Sequence, residues 1–221
     1  MKKLLIAGLL SMGLSATANV SANLITNGDF ETGDLSGWQT NGDVRVAQAG
    51  VIANIQGMDN NYALLGFGIT DGNSTLRQDF EVTGADEITI SFDWAFDYWD
   101  NSASADDTFL SFVRQDDTPA YRITLLDLQT NGTGFFDVDA GIAYGSFERT
   151  YDISHYTAEE ARLIFRLKEE TDSNLFTGTA SVAGIDNVVI TASSVPEPSS
   201  VALLSLGLAG IGLARRKKLA A

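Results

Sequence analysis

The chain has 221 residues, with 14 lysines and arginines against 29 aspartates and glutamates, one histidine and no cysteine. This length suits a single domain, and the lack of cysteine excludes disulfides and the cysteine-based zinc sites. A formal charge of −15 disfavours nucleic acid as a partner, because an acidic surface repels a polyanion.

The N-terminus has the organisation of a secretory signal. Two lysines precede an apolar stretch over residues 4–14, and small residues then lead to Ala22. This order is typical of a cleavable signal peptide, and the apolar stretch is shorter than the ~20 residues of a membrane-spanning helix. We predict a signal peptide over residues 1–22 with cleavage before Asn23. Cleavage after Ala18 and an uncleaved N-terminal anchor are the alternatives.

The C-terminus has three parts in a defined order. Val195-Pro196-Glu197-Pro198 comes first, an apolar run over residues 201–214 follows, and a basic cluster over residues 215–218 comes after it. The prolines keep the backbone extended ahead of the apolar run, and the basic residues favour the cytoplasmic side of a membrane. The pattern predicts a short C-terminal membrane helix that leaves the rest of the protein outside the cytoplasm.

This tail resembles the PEP-CTERM sorting signal. The resemblance covers residues 195–221 and implies that an exosortase recognises the motif, removes the tail, and delivers the protein to the outer envelope or extracellular matrix of a Gram-negative bacterium. The sequence has no L-P-x-T-G motif, which disfavours the Gram-positive sortase route. We therefore predict a sorting and anchoring segment over residues 194–221; whether the tail is cleaved or retained stays open.

Loss of both ends would make the exported part more acidic. Between Asn23 and Glu197 the chain carries eight of the 14 cations and all 29 carboxylates, a formal charge of −21. Such a surface attracts divalent cations and basic partners, and it repels nucleic acid and anionic lipid.

Residues 23–193 have the pattern of one all-β domain. Helical periodicity is nearly absent, apart from a possible turn over residues 157–161, whereas apolar and polar residues alternate between clusters of Gly, Asn, Asp and Ser. The clearest alternation places Ile88 to Phe96, at every second position, on one face. We predict a two-sheet antiparallel jelly roll with nine to ten strands. Nine are expected at residues 43–49, 61–67, 74–82, 87–96, 108–114, 121–128, 146–153, 162–168 and 183–191.

Two short motifs bracket this domain and resemble those of carbohydrate-binding modules. Asn27-Gly28-Asp29-Phe30-Glu31, followed by Gly37-Trp38, is similar to the opening of these jelly rolls. Gly184-Ile185-Asp186-Asn187-Val188-Val189-Ile190 is similar to their last strand. The resemblance implies a galactose-binding-like sandwich, often with a structural calcium where the first and last strands meet. Trp38 is expected to be structural.

The same resemblance supplies a calcium hypothesis. Glu31 and Asp186 would share one ion, Asp29 would contribute through its side chain or carbonyl, and Asp59 or Asn60 would complete the shell. Calcium takes six to eight oxygen ligands of these kinds. In the alternative interpretation, Asp29 and Asp186 only make turn hydrogen bonds, as aspartates commonly do.

An acidic aromatic run over residues 93–100 is the candidate ligand surface. Flat aromatic rings stack on sugar faces, and carboxylates accept hydrogen bonds from hydroxyl groups. The candidates sit where the strand alternation ends, and packing beneath residues 101–107 or a second calcium site are the alternatives. Trp94 and Phe96 are expected in the core. The candidate ligand residues are Asp97, Tyr98, Trp99 and Asp100.

Enzymatic chemistry has little support in the sequence. His155 is the only histidine and is predicted in a turn, and no G-x-S-x-G, P-loop or G-x-G-x-x-G motif occurs. We predict a non-enzymatic surface or matrix protein linked to exopolysaccharide or biofilm, with possible structural calcium. A carbohydrate-binding module proper is the first alternative, and a glycan-active hydrolase or lyase is the second.

Overall fold

The computed structural model describes residues 22–49, 57–66, 72–98, 107–115, 122–129, 141–169 and 181–194. The predicted signal peptide up to residue 21 and the sorting segment from residue 195 onward lie outside these residues. Within the described part, no helix is long and apolar enough to cross a membrane.

The described residues form ten β-strands, separated by turns and irregular segments. Nine correspond to the predicted strands, with β8 starting five residues earlier than expected, and the three-residue β1 was not predicted. The strands are β1 (Gln39–Asn41), β2 (Val44–Gln48), β3 (Asn61–Leu65), β4 (Gly72–Glu81), β5 (Glu87–Tyr98), β6 (Thr108–Gln115), β7 (Arg122–Gln129), β8 (Gly141–Asp152), β9 (Glu160–Glu169) and β10 (Val182–Ser193).

The strands form two five-stranded antiparallel sheets. Sheet A has the order β1-β4-β9-β6-β7, and sheet B has the order β2-β3-β10-β5-β8. The chain passes from one sheet to the other at most connections, which is typical of a jelly roll. The predicted all-β, two-sheet antiparallel sandwich is therefore confirmed.

The core lies between the sheets and is rich in phenylalanine. Ile88, Ile90 and Phe92 of β5 alternate with polar residues and are buried, as predicted. Phe92 packs edge-on against Phe165 of sheet A with ring centroids 5.1 Å apart, so this contact joins the two sheets. Each such side chain contributes about 1.5–3 kcal/mol through burial. The predicted core residue Phe96 is fully buried, whereas Trp94 is half-buried and packs against the same core.

One feature of the predicted pattern was wrong. Residues 157–161 do not form a helical turn: residues 158–159 make a bend and β9 begins at Glu160. Helical hydrogen bonding is not continued there because Glu160 and Ala161 already pair with β4 opposite Glu81 and Phe80. Sheet pairing overrides the weak local helical tendency.

The segment before β1 crosses one end of the sandwich and binds both sheets. The backbone amide of Leu24 donates to the carbonyl of Ile190 on β10 (2.8 Å). On the other side, Thr26 and the buried side chain of Gln78 on β4 exchange two hydrogen bonds of 2.7 and 3.0 Å. The N-terminal segment therefore holds β10 and β4 together, which brings the start and the end of the domain into contact.

Candidate functional site

The opening motif is a tight loop with unusual backbone conformations. Asn27 and Phe30 both have a φ of 52°, a region that bulky residues rarely adopt. The Phe30 ring is fully buried and lies 5.6 Å from the ring of Trp38. This packing holds the strained conformation in place. Trp38 is 8% exposed and donates its indole N–H to the carbonyl of Asn27 (3.0 Å), so it is structural, as expected.

Gly28 occupies a position that no side chain could fill. A Cβ there would lie 2.1 Å from the carbonyl oxygen of Val188 on β10. The two backbones are this close because the amide of Val188 donates to the carbonyl of Gly28 (2.8 Å). Asn23 reinforces the contact, since its side-chain oxygen accepts from the amide of Ile190 (3.0 Å). The glycine of the opening motif is thus explained by close approach of the first and last segments.

The closing motif contains a β-bulge. Asp186 pairs with Asp93 of β5 and Val189 pairs with Ser91, so Asn187 and Val188 stand opposite a single residue. Asn187 has a φ of 52°, and its amide donates to the carboxylate of Asp186 (2.7 Å). The bulge therefore places two aspartates side by side on the outer face of sheet B.

These aspartates belong to a cluster of four carboxylates, which we call the acidic edge: Asp29, Glu31, Asp93 and Asp186. Asp186 is only 6% exposed. Burial, followed by the charges of Asp93, Glu31 and Asp29, raises the pKa of Asp186 to about 7, and the amide of Asn187 partly opposes the shift. Charges from the N-terminal loop and from two strands of sheet B thus meet at one place.

Hydrogen bonds from polar neighbours hold three of these carboxylates. Asp93 accepts hydrogen bonds from the hydroxyl of Ser146 (2.5 Å) and from the side-chain amide of Asn187 (2.9 Å). Glu31 accepts from the backbone amide of Asn61, the first residue of β3 (3.2 Å). Asp29 accepts from the amide of Glu31 (3.4 Å), which is the turn bond of the alternative interpretation.

The donor set of the acidic edge matches the oxygen chemistry that calcium prefers. Among the described residues, however, no three acidic or histidine side chains converge in metal-binding geometry. The predicted ligand Asp59 is exposed, two residues before the Asn61 amide that binds Glu31. Asp93 was not among the predicted ligands of the ion shared by Glu31 and Asp186, because its position opposite Asp186 follows from strand register. Calcium binding stays a prediction.

The candidate ligand surface at the end of β5 is described only in part. Asp97 is half-buried, and burial raises its pKa. Tyr98 is the last residue of β5 and pairs with Gly141, but its side chain lies outside the described part. Trp99 and Asp100 lie outside the described residues as well. The ligand role of this surface stays a prediction.

Sequence reasoning missed an exposed apolar pair beside this surface. Ile142 of β8 pairs with Asp97 and is 41% exposed, and Tyr144 pairs with Ala95 and is 49% exposed. The ring of Tyr144 lies against the backbone of Gly57, where a Cβ would be 2.6 Å from its Cδ2. Tyr144 therefore presents an aromatic ring on the outer face of sheet B. Its strand was predicted to begin only at residue 146.

His155 lies in the turn that was predicted. The amide of Tyr156 donates to the carbonyl of Ile153 (2.8 Å), and the rings of His155 and Tyr156 meet edge-on at 5.0 Å. Nearby, hydrogen bonds from Ser154 lower the pKa of the exposed Asp152. These contacts stabilise the β8–β9 connection.

Residues 194–218 match the PEP-CTERM protein-sorting motif. This match confirms the resemblance noted in the sequence. The motif indicates an exported protein that is sorted to the cell envelope, and it implies processing by an exosortase.

The sandwich is similar to carbohydrate-binding modules of known structure. TmCBM61, solved in complex with β-1,4-galactotriose, matches 78% of this chain and 100% of its own at 15% identity and a TM-score of 0.50. The CBM22-2 xylan-binding domain from Paenibacillus barcinonensis Xyn10C matches 75% of this chain and 98% of its own at 17% identity, with a TM-score of 0.41. The fold is therefore that of a carbohydrate-binding-module-like jelly roll.

An enzyme is also among the similar structures. The enzymatically active domain of tailspike protein 4 from bacteriophage CBA120 matches 77% of this chain but 21% of its own, at 15% identity and a TM-score of 0.47. At this similarity the match carries no argument about activity. No curated protein sequence matches the chain.

Proposed function

We propose that this chain is an exported, non-catalytic protein that binds extracellular polysaccharide at the cell envelope or in the surrounding matrix. The observation that carries the proposal is the direct succession of two parts: β10 ends at Ser193, and the sorting motif begins at residue 194. The sorting motif thus follows the carbohydrate-binding-module-like sandwich directly, with no domain between them. Since a fold alone does not define a function, the sites below must support the proposal.

The proposed sugar-binding surface lies on the outer face of sheet B, at the end of β5. Asp97 supplies a carboxylate, and Tyr144 supplies a half-exposed ring on the adjacent strand. Rings stack on sugar faces while carboxylates accept hydroxyl hydrogen bonds, so the pair has the required chemistry. Tyr98, Trp99 and Asp100, which follow Asp97 in the sequence, stay predicted ligand residues. The bound galactotriose of TmCBM61 supports a neutral glycan as the first ligand to test.

Calcium is the proposed structural ligand of the acidic edge. The charges of Asp93, Glu31 and Asp29 disfavour the ionised form of Asp186, and a divalent cation would reverse that preference. Asp59 or Asn60 and backbone carbonyls would supply further oxygens. One ion there would hold the N-terminal loop against β10 and stabilise the folded domain.

The non-catalytic part of the proposal rests on the inventory of reactive groups. The single histidine of the sequence lies in the turn after β8 and contacts Tyr156. Two carboxyl groups whose pKa is raised are Asp97 and the strongly shifted Asp186. Asp186 is accounted for by the acidic edge, where hydrogen bonds to Asn187 orient its carboxylate.

The test is a binding assay of the purified full-length protein against soluble galactan and xylan, with calcium or with EDTA. We expect saturable binding to a neutral glycan and no release of reducing ends. The Tyr144→Ala variant should weaken binding about tenfold, because stacking of one ring contributes about 1 kcal/mol or more.

Thr150→Ala is the matched control, since Thr150 lies on the same strand and face and its hydroxyl bonds Thr89 across the sheet (2.7 Å). Its binding should stay within twofold of the original. If the protein binds neither galactan nor xylan, the sugar-binding proposal is contradicted. Release of reducing ends would contradict the non-catalytic part.

A further inference from the structure

The positive charge of the exported domain is concentrated on one face. Between Asn23 and Glu197 the chain has eight lysines and arginines. Six of these lie on sheet A, at strand positions that alternate with core-facing residues. We call this outer surface of sheet A the basic face, and its cations are Arg77, Arg114, Arg122, Arg162, Arg166 and Lys168.

Strand register brings three of these arginines into one row. Arg114 of β6 pairs with Arg162 of β9 on one side and with Arg122 of β7 on the other. Adjacent strands lie about 4.8 Å apart, so the backbones of all three are within about 10 Å. Like charges directly opposite one another repel, and Asp79 offsets part of this repulsion at Arg162.

The charges also extend along β9. Three cations lie on the outer side of this strand, four and two positions apart: Arg162, Arg166 and Lys168. Arg77 of β4 pairs with Ile164, which lies between Arg162 and Arg166. From Arg162 to Lys168 the strand rises about 20 Å. The basic face thus covers an elongated area rather than a single point.

Few described carboxylates balance this charge within the rows that carry the cations. Asp79 pairs with Arg162, as both Nε and a terminal nitrogen of the guanidinium donate to its carboxylate (2.5 and 3.0 Å). Asp127 of β7 pairs with Leu110 in the row of Arg166 and accepts from Gln129. The described rows that carry the cations therefore hold two carboxylates, and Glu81 and Glu160 pair with each other beyond Arg162. Arg114, Arg162 and Lys168 have further interaction partners.

An apolar cluster supports the arginine side chains. Leu110, Phe112 and Ile164 form a buried cluster of their own on the outer side of sheet A. The guanidinium carbon of Arg122 lies 4.1 Å from the centroid of the Phe112 ring. Arginine stems cover such apolar surface while their charged ends stay in water, and the ring favours the cation. The cluster thus holds a guanidinium in place.

Arg166 is the least satisfied member of the basic face. It is half-buried, and its buried Nε has no hydrogen-bond partner in the structure as described. Burial, followed by the charge of Arg122, lowers the pKa of this guanidinium. A buried donor without an acceptor costs stability. The side chain is therefore placed to gain from an anionic acceptor that the described protein residues do not supply.

We propose that the basic face binds an acidic polysaccharide through carboxylate groups spaced along the polymer. Guanidinium groups bind carboxylates with paired hydrogen bonds, and the elongated array suits a chain with repeated charges. Double-stranded DNA is disfavoured because it carries a charge every ~1.7 Å, more densely than one carboxylate per sugar residue, so the acidic remainder of the domain repels it more strongly. This second surface lies on the opposite sheet from Tyr144, so it extends the proposed function without depending on that site.

The test measures binding of full-length protein to polygalacturonate, with carboxyl-reduced polygalacturonate and double-stranded DNA in parallel, at 50 and 300 mM NaCl. All proteins in this comparison also carry Tyr144→Ala, because the reduced polymer is a neutral galactan that the β5 surface is proposed to bind. We expect saturable binding to polygalacturonate alone, weakened about tenfold at the higher salt because the contacts are ionic. The double variant Arg122→Gln/Arg166→Gln should lose at least about tenfold in affinity.

Arg149→Gln is the matched control, since it removes the same charge from β8 of sheet B; its affinity should stay within twofold. Melting temperatures of all variants separate lost binding from lost folding, and Tyr144→Ala should leave polygalacturonate binding unchanged. No binding, equal binding to DNA or to the reduced polymer, or an equal loss in Arg149→Gln would overturn the proposal. If the protein binds polygalacturonate but no neutral glycan, only the proposed sugar-binding surface at the end of β5 is contradicted.

Discussion

The acidic edge and the basic face crowd like charges by different means. At the acidic edge, carboxylates from the N-terminal loop and from two strands meet because the chain's two ends are joined by the Gly28–Val188 contact. On the basic face, the arginines of three adjacent strands meet because antiparallel register aligns them. The formal charge of −21 between Asn23 and Glu197 is thus not evenly spread. The structure separates opposite charges onto distinct surfaces.

The comparison also shows how each cluster is tolerated. Neutral donors such as Ser146 and Asn187 offset the repulsion at the acidic edge. On the basic face, the aromatic ring of Phe112 and the carboxylate of Asp79 do so. In both places a ligand of opposite charge would reduce the remaining repulsion, which acts on Asp186 at the acidic edge and between Arg122 and Arg166 on the basic face. Such local strain is expected at functional sites rather than in a sheet that serves only stability.

The largest expected effect comes from breaking the contact that assembles the acidic edge. Gly28→Ala would place a methyl group 2.1 Å from the Val188 carbonyl oxygen, so the backbones must separate and lose their hydrogen bond. We expect a loss of about 2–3 kcal/mol in the free energy of unfolding, or roughly 5–10 °C in melting temperature. Thermal unfolding followed by circular dichroism measures it.

Gly145→Ala is the control for this change. A Cβ at Gly145 would lie at ordinary distances of 3.5–3.7 Å from the indole of Trp94, so its melting temperature should change by less than about 2 °C. Gly28→Ala should also leave polygalacturonate binding at the basic face intact. Equal melting temperatures for the two variants would show that the Gly28 contact does not hold the domain together.

The second prediction concerns the buried carboxyl of the acidic edge. The folded pKa of Asp186 is about 7 against an ordinary value of 3.8, so its ionisation costs stability progressively as pH rises from about 4 to about 7. Asp186→Asn cannot ionise and should be more stable than the original protein above pH 7 without calcium, by on the order of 1–2 kcal/mol. At pH 4 the difference should disappear. Unfolding by urea at pH 4 and pH 8 measures both values.

With calcium, the original protein should become more stable than the Asp186→Asn variant at pH 8. We expect calcium at a hundredfold excess over Kd to stabilise the original protein by about 2.7 kcal/mol, and to do so more at pH 8 than at pH 5, because the ion needs the ionised carboxylate. Asp186→Asn should lose most of this gain. Asp152→Asn is the contrasting control. Because hydrogen bonds from Ser154 lower the pKa of Asp152, this substitution should destabilise the folded protein at neutral pH, whereas Asp186→Asn should stabilise it without calcium. If calcium stabilises the Asp186→Asn variant as strongly as the original protein, the ion binds elsewhere.

The smallest expected effects distinguish two arginines of the basic face. Arg166→Gln removes a half-buried cation repelled by Arg122 and should raise the free energy of unfolding by about 0.5 kcal/mol. Arg162→Gln removes the partner of Asp79 and should lower it by about 0.5 kcal/mol. Urea titration of both variants in one buffer compares them. If Arg166→Gln is no more stable than the original protein, repulsion between Arg122 and Arg166 does not lower the stability of the free protein.

Much of the fold was predictable from the sequence because it depends on local alternation. Every second residue from Ile88 to Phe92 is apolar, and a strand has no other way to bury them on one side. The three-residue β1 was missed because its residues are all exposed and show no such alternation. Ile164 on the outer side of β9 is buried as well, because Leu110 and Phe112 of the neighbouring strand cover it there.

The candidate sites were predictable only where a motif carried them. Asp29, Glu31 and Asp186 were identified from the bracketing motifs, and the structure brings their charges together. Asp93 and the arginine row have no motif, because their positions relative to other strands depend on pairing between residues far apart in sequence. Asp93 and Asp186 are 93 residues apart and become neighbours through a single ladder of hydrogen bonds.

The sequence by itself determined the sorting signal, the fold class and the sign of the total charge. Each of these is a property of short segments or of composition: a sorting motif, an alternation of period two, and a count of ionisable side chains. Only the tertiary structure decided where the charges stand relative to one another, because strand register and the bulge at Asn187 select which residues face each other. The proposed binding sites depend on those juxtapositions, since several strands together build each of them.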